Sequence, residues 1–171
     1  MKHLITLITF LFLGITPIFA QKTGTDVGNK APELTYKNPN GEFMSLSELN
    51  GKVVIIDFWA SWCGPCRREN PHVAALYKQY KKTKFKNGNG LAIYSVSLDT
   101  KKSSWMKALN DDQLYWEHHV SDLKGWNSAG AAIYGVRSIP QTFIIDGKGI
   151  IIAKNLRGKE LDDFLDELKT K

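Results

Sequence analysis

The chain has 171 residues, 43% of them hydrophobic and 23% charged, with a formal net charge of +6. That length holds one domain with a sizeable core, and the composition is that of a globular protein, not a low-complexity or disordered one. The positive charge reads as a solvated surface: the lysines are scattered except over 78–86, and no basic face is interleaved with aromatics as nucleic-acid binding requires.

The first residues read as a targeting segment. Lys2 gives a short positive start, and Leu4 to Leu13 is an apolar run of signal-peptide length. Gly14 and Pro17 break the run, and Ala20 offers a cleavage point. Ile18 is bulky where a small residue is preferred, so residues 1–20 are expected to be either a signal peptide or an uncleaved N-terminal anchor. Residues 21–29 follow as a polar leader, and residues 30–171 as one folded domain. The protein is thus expected outside the cytoplasm, in the periplasm, touching a membrane only through an uncleaved first segment.

Residues 33–36 and 42–45 flank Asn38-Pro39-Asn40-Gly41, the pattern of a hairpin turn. Residues 45–49 read as one helical turn closed by Asn50-Gly51. Val53-Val54-Ile55-Ile56-Asp57-Phe58 is a β-branched run suited to a central strand buried on both faces. Asp57 interrupts it, and a carboxyl buried there should titrate above its ordinary range.

A helix is expected from Gly64, with Pro65 in its first turn, where a missing N–H is harmless. Val73, Leu76, Tyr77 and Tyr80 give it a core-facing stripe, and Pro71 inside the pattern should kink it. Residues 91–98 form the next strand, parallel to the first through a right-handed crossover. A helix over 103–110 and a strand over 115–120 follow, then a Gly- and Ala-rich helix over 128–134 that should pack closely. Two strands on either side of Asp146-Gly147-Lys148-Gly149 should pair as an antiparallel hairpin. Leu161, Phe164, Leu165 and Leu168 mark a final amphipathic helix after Gly158.

Cys63 and Cys66 are the only cysteines, and they sit where the central strand gives way to helix. A bridge three residues long closes almost no loop, so it has little structural use and is well placed for exchange. A helix N-terminus beneath the pair favours a thiolate. The run Asp57-Phe58-Trp59-Ala60, then Trp62-Cys63-Gly64-Pro65-Cys66, resembles the active site of the thioredoxin superfamily. The following Arg67-Arg68-Glu69-Asn70-Pro71 resembles its extracytoplasmic TlpA/ResA-like branch. The likeness extends over residues 30–171.

The resemblance implies an α/β thioredoxin-like fold: a mixed central sheet flanked by helices, with an N-terminal β-hairpin and a central helix–strand insert. It implies a thiol–disulfide oxidoreductase with Cys63 as attacking thiolate and Cys66 as resolving thiol. Asp57, six residues before Cys63, matches the buried acid of thioredoxins and is the candidate base. Glu69, one helical turn after Cys66, matches a functional glutamate of ResA-like proteins and is the second candidate. Ile139-Pro140 resembles the superfamily's cis-proline loop, which offers backbone groups to an extended substrate. Trp62, Gly64 and Pro65 complete the expected substrate contacts, with one of Trp59 and Trp62 in the core and the other exposed.

No cofactor is implied, and no metal. His118 and His119 are adjacent, so in a strand they point to opposite faces, and His72 has no evident third ligand. The implied partners are disulfide-bearing exported proteins and a membrane thiol-transfer electron donor, with apocytochrome c maturation as the family's task. Gly64-Pro65 matches thioredoxin, whose potential of about −270 mV is that of a reductant, against about −120 mV for DsbA. Two alternatives stand beside this reading. One is a peroxiredoxin-like peroxidase, which shares the N-terminal hairpin but normally uses Thr-x-x-Cys. The other is a Sco-like metallochaperone, which uses a wider cysteine spacing and a distant histidine.

Overall fold

The computed structural model describes residues 21–170. The expected signal or anchor segment, 1–20, lies outside them. Among the described residues no helix is long and apolar enough to cross a membrane.

The expected hairpin is present as β1 (Thr35–Lys37) and β2 (Phe43–Ser45), followed by a 3-10 turn over Leu46–Leu49. The central run forms β3 (Val53–Trp59), buried at every position. Next come α1 (Gly64–Tyr80), a small hairpin of β4 (Lys84–Phe85) and β5 (Gly88–Asn89), and β6 (Leu91–Ser97). Then follow α2 (Lys102–Asp111), β7 (His119–Val120), a 3-10 turn over Gly125–Asn127 and α3 (Ala129–Ile133). The chain finishes with β8 (Gln141–Ile145), β9 (Ile151–Lys154) and α4 (Gly158–Leu168).

Five strands make one sheet in the order β7-β6-β3-β8-β9. β3 pairs parallel with β6 and antiparallel with β8, so the sheet is mixed and β3 lies at its middle. Alternation along β3 sends Ile55 and Asp57 towards α1 and Phe58 towards the end of α3. There Phe58 meets Tyr134 at 5.3 Å between ring centroids, and Phe143 of β8 meets Tyr134 at 5.0 Å. Burying each such side chain contributes roughly 1.5–3 kcal/mol. A Cβ at Gly130 of α3 would lie 3.0 Å from the Tyr36 hydroxyl and 3.1 Å from Leu34, so the close packing expected of this helix is met by the glycine.

Helix α1 buries Val73, Leu76 and Tyr80 and runs on through Pro71, whose ring leaves the Arg67 carbonyl without its intrahelical donor. The strand expected over 115–120 is shorter than its pattern. Only His119 and Val120 pair with β6, because Trp116 turns inward, stacks on His119 at 4.6 Å and donates its indole N–H to Ser95. The β4–β5 hairpin was not expected from the sequence.

The N-terminal segment reaches both sides of the sheet. Gly28 donates to the Ile151 carbonyl, Ile151 to the Asn29 carbonyl, and Ala31 to the Gly149 carbonyl. At the opposite edge Lys37 of β1 bridges Ser121, just beyond β7.

Candidate active site

Cys63 and Cys66 are joined in a disulfide at the start of α1, with no free cysteine in the described chain. Cys63 is the N-cap residue of the helix, and its sulfur accepts from the Cys66 backbone N–H at 3.2 Å. That donor, with the positive end of the helix dipole, favours a thiolate on Cys63 once the bond is reduced. Gly64 and Pro65 are exposed on the first turn, whereas Cys66, one turn in, is 1% exposed. Cys63, 5% exposed, is the more accessible of the two cysteines, and Cys66 is shielded.

Behind Cys66 lies a small cavity of about 20 Å³, lined by Asp57 and Ile55 of β3, Cys66 and Glu69 of α1, Pro140 and Thr142. It has room for a single water. Asp57 is 7% exposed. Burial pushes its carboxyl up to about 7, against a downward pull from the Arg157 guanidinium and a further upward push from the Glu69 charge. A carboxyl that titrates near neutrality beside a buried thiol can accept and return a proton at working pH. Thr142 stands opposite Asp57 in the β3–β8 register, and its buried hydroxyl has no protein partner. A water in the cavity is the group that would satisfy it.

Glu69 and α4 are tied together. Its Oε1 accepts from the backbone N–H of Gly158, the first residue of α4, at 3.2 Å, and lies 3.3 Å from His72 Nδ1. His72 Nε2 in turn sits 2.9 Å from Asp162 on α4. Arg157, just before α4, donates to the Pro140 carbonyl. The Ile139–Pro140 bond is cis, as the resemblance implied. Pro140 is buried against the site and Ile139 is half-exposed beside it. Asp57, Cys66, Glu69 and Pro140 thus meet around one cavity, while Trp62, Gly64 and Pro65 are exposed beside the cysteines in the chain.

Several residues that hold the site were not singled out from sequence. Asp99, fully buried after β6, accepts from the Ser61 N–H at 2.9 Å, the Ser61 hydroxyl at 2.5 Å and the Ser97 hydroxyl at 2.7 Å. Arg67 donates to the Ser61 carbonyl at 3.2 Å and makes a two-pronged contact with Asp112 at the end of α2, at 2.5 and 2.7 Å. Asn70 donates to the same carboxylate at 2.6 Å. The loop leading into Cys63 is therefore pinned from β6 and from the α2 insert. Of the two tryptophans flanking the site, Trp59 is core and Trp62 is 54% exposed.

The histidine pair is split as alternation requires. His119 is buried, with Nε2 against the Leu114 carbonyl at 3.0 Å, and burial pushes its pKa down to about 3. His118 is half-buried near Glu48. Among the described residues no group of three or more His, Cys, Asp or Glu side chains is placed to hold a metal ion.

A dithiol on a helix N-cap, backed by a buried acid and a cis-proline loop on a mixed five-stranded sheet, defines a thiol–disulfide oxidoreductase of thioredoxin fold. The chain matches the AhpC/TSA family over residues 27–154 and belongs to it, within the TlpA/ResA-like part of the thioredoxin superfamily. It is 33% identical over 151 residues to the thioredoxin-like protein YneN of Bacillus subtilis (strain 168), spanning 85% of this chain and 82% of that one. It is 31% identical over 134 residues to the thiol-disulfide oxidoreductase ResA of Bacillus thuringiensis (strain Al Hakam), spanning 78% and 72%. Among solved structures, the thioredoxin domain of a thiol-disulfide oxidoreductase from Bacteroides vulgatus superposes with a TM-score of 0.75 at 31% identity, covering 85% of this chain and 99% of that one. A thiol-disulfide oxidoreductase from Bacteroides fragilis gives 0.72 at 32% identity, covering 82% and 99%.

Proposed function

We propose that this oxidoreductase works outside the cytoplasm as a reductant of disulfides in other exported proteins. The observation that carries the reading is the Cys63–Cys66 pair: one sulfur at the helix N-cap, the other against the Asp57 cavity. Reduced Cys63 attacks a substrate sulfur as thiolate. The substrate S–S bond breaks, a Cys63–substrate disulfide forms and the first substrate thiolate leaves. Cys66 gives its proton to Asp57 through the cavity water, which Thr142 helps to hold. Its thiolate then attacks the Cys63 sulfur and expels the second substrate thiolate. Two electrons pass to the substrate, and the Cys63–Cys66 disulfide remains.

Glu69 lines the same cavity, and its charge sets how readily Asp57 ionises. Trp62, Gly64, Pro65 and the backbone of Ile139 line the approach of an extended substrate. A membrane thiol-transfer protein returns the disulfide to the dithiol. The apolar start of the chain supports export, and apocytochrome c is the substrate that the family resemblance implies.

The test is reduction of insulin disulfides with the reduced protein. Cys63→Ser should abolish it; activity that survives would end this reading. A potential near thioredoxin's, about −270 mV, fits a reductant, whereas one near about −120 mV reverses the direction. The N-terminal hairpin, which peroxiredoxin-like domains share, favours thiol peroxidase as a second reading, and thiol-dependent peroxide consumption separates the two.

A further inference from the structure

Of the five tryptophans, Trp59, Trp105 and Trp116 are buried. The remaining two, Trp62 and Trp126, stand side by side at the disulfide with ring centroids 6.1 Å apart. Each keeps about half its surface in water, 54% and 51%. Isolated exposed apolar residues need no explanation, but two paired indoles, one of them next to Cys63 in the chain, form a patch with a use.

Both walls of this patch hang from the same end of β6. On one side, Asp99 grips the backbone and hydroxyl of Ser61, directly before Trp62. On the other, the Ser121 hydroxyl donates to the Ser97 carbonyl, and Gly125 lies so close to Thr100 that a Cβ there would be 3.0 Å from its methyl. Asp122 fastens the turn further, accepting from the backbone N–H groups of Lys124 and Ala129. Gly125 takes φ +57°, a conformation that suits glycine, and Trp126 follows it outward. Trp126 is thus presented from a braced turn, already in place before a substrate arrives, which reduces the ordering that binding requires.

Basic residues neighbour the patch, one placed there by the fold and two close to it in sequence. Arg68 reaches over Gly64, its Nη1 3.6 Å from where a Cβ would stand. Lys124 precedes Trp126 by two residues, Arg137 precedes Ile139 by two, and both are exposed. The one acid in the turn, Asp122, is engaged with backbone donors.

Resting on the reductase reading, we infer that Trp62 and Trp126 form a paired aromatic platform that selects the substrate. Its occupant is an extended disulfide-bearing polypeptide segment with a large apolar side chain beside the reacting cysteine and an acidic residue next to that. The apolar side chain packs across the exposed faces of the two touching indoles, and the acid meets Arg68 beside Gly64. Aromatic anchors of this kind, desolvated on binding, carry much of an interface's energy.

The test compares three disulfides as substrates of the reduced full-length protein. They are a peptide disulfide with Cys-Phe-Asp, one with Cys-Gly-Lys, and hydroxyethyl disulfide, which is too small to span the patch. Wild type should prefer the Phe-Asp peptide by roughly ten-fold in kcat/KM, mostly through KM. Trp126→Ala should remove that preference and leave hydroxyethyl disulfide reduction unchanged, and Trp126→Phe should keep most of it. Equal rates of wild type on the two peptides, or an equal loss by Trp126→Ala on all three substrates, overturns the proposal. Wild type inert even towards hydroxyethyl disulfide instead sinks the reductase reading beneath it.

Discussion

Replacing Asp57 by Asn isolates the energetics of the buried acid. The amide has the shape of the protonated carboxyl and never ionises. In the folded wild type the carboxyl is pushed from its ordinary 3.8 up to about 7. Between those two pH values the folded state keeps a proton that the unfolded chain has lost. Stability therefore falls as pH rises through that interval, and the whole penalty is present above it. At ~1.4 kcal/mol for each pH unit, the interval amounts to roughly 4 kcal/mol. Oxidised Asp57→Asn should match wild type near pH 4 and exceed it by roughly that amount at pH 8. Urea unfolding followed by tryptophan fluorescence at pH 4, 6 and 8 reads the difference. The buried His119 acts in the opposite sense: held neutral down to about pH 3, it lowers stability as pH falls below its ordinary 6.5. Both variants carry His119, so it cancels in the comparison. A stability gap independent of pH, or a variant weaker than wild type at pH 8, would refute the reasoning.

Other expectations are of the same kind. Cys66→Ser should accumulate a mixed disulfide between Cys63 and its substrate, visible as a thiol-sensitive band on a non-reducing gel; free release of product would deny Cys66 the resolving role. Glu69→Gln removes a charge that pushes Asp57 upward, so the pH at which the resolving step reaches half its maximum should move down, as read from stopped-flow rates. An unmoved midpoint would separate Glu69 from the site. Asp112→Ala strips Arg67 and the buried Asn70 of a shared acceptor and should destabilise the protein by about 1–3 kcal/mol in urea unfolding. A change near zero would show that the insert does not brace the active-site helix.

The parts of the fold that could be read from sequence are those with a local pattern. The β-branched run of β3, the Val73–Tyr80 stripe of α1 and the Leu161–Leu168 stripe of α4 each bury the face their period marks. The cysteine pair and Ile139-Pro140 were legible as motifs, although nothing local fixes the isomer of that peptide bond. What escaped is non-local. Asp99 reads as an ordinary residue after a strand, because its partner Ser61 lies 38 residues earlier. Arg67 and Asp112 are 45 apart and carry no shared pattern. Trp126 sits in a turn after Gly125 with no period at all, and only the folded chain brings it to Trp62. The strand expected over 115–120 shrank because packing of Trp116 overrode its extended preference.

The way the first described residues wrap the sheet also bears on its open edges. Open strand edges are templates for pairing with another chain. Here residues 28–31 occupy the start of β9, and β1 touches the far edge beyond β7. One short stretch of chain thus pairs along β9 and bridges the chain just beyond β7, leaving less open edge for intermolecular β-pairing. A chain begun after the hairpin would keep the cysteines, the acid and the cis-proline loop, yet present two bare edges to its neighbours.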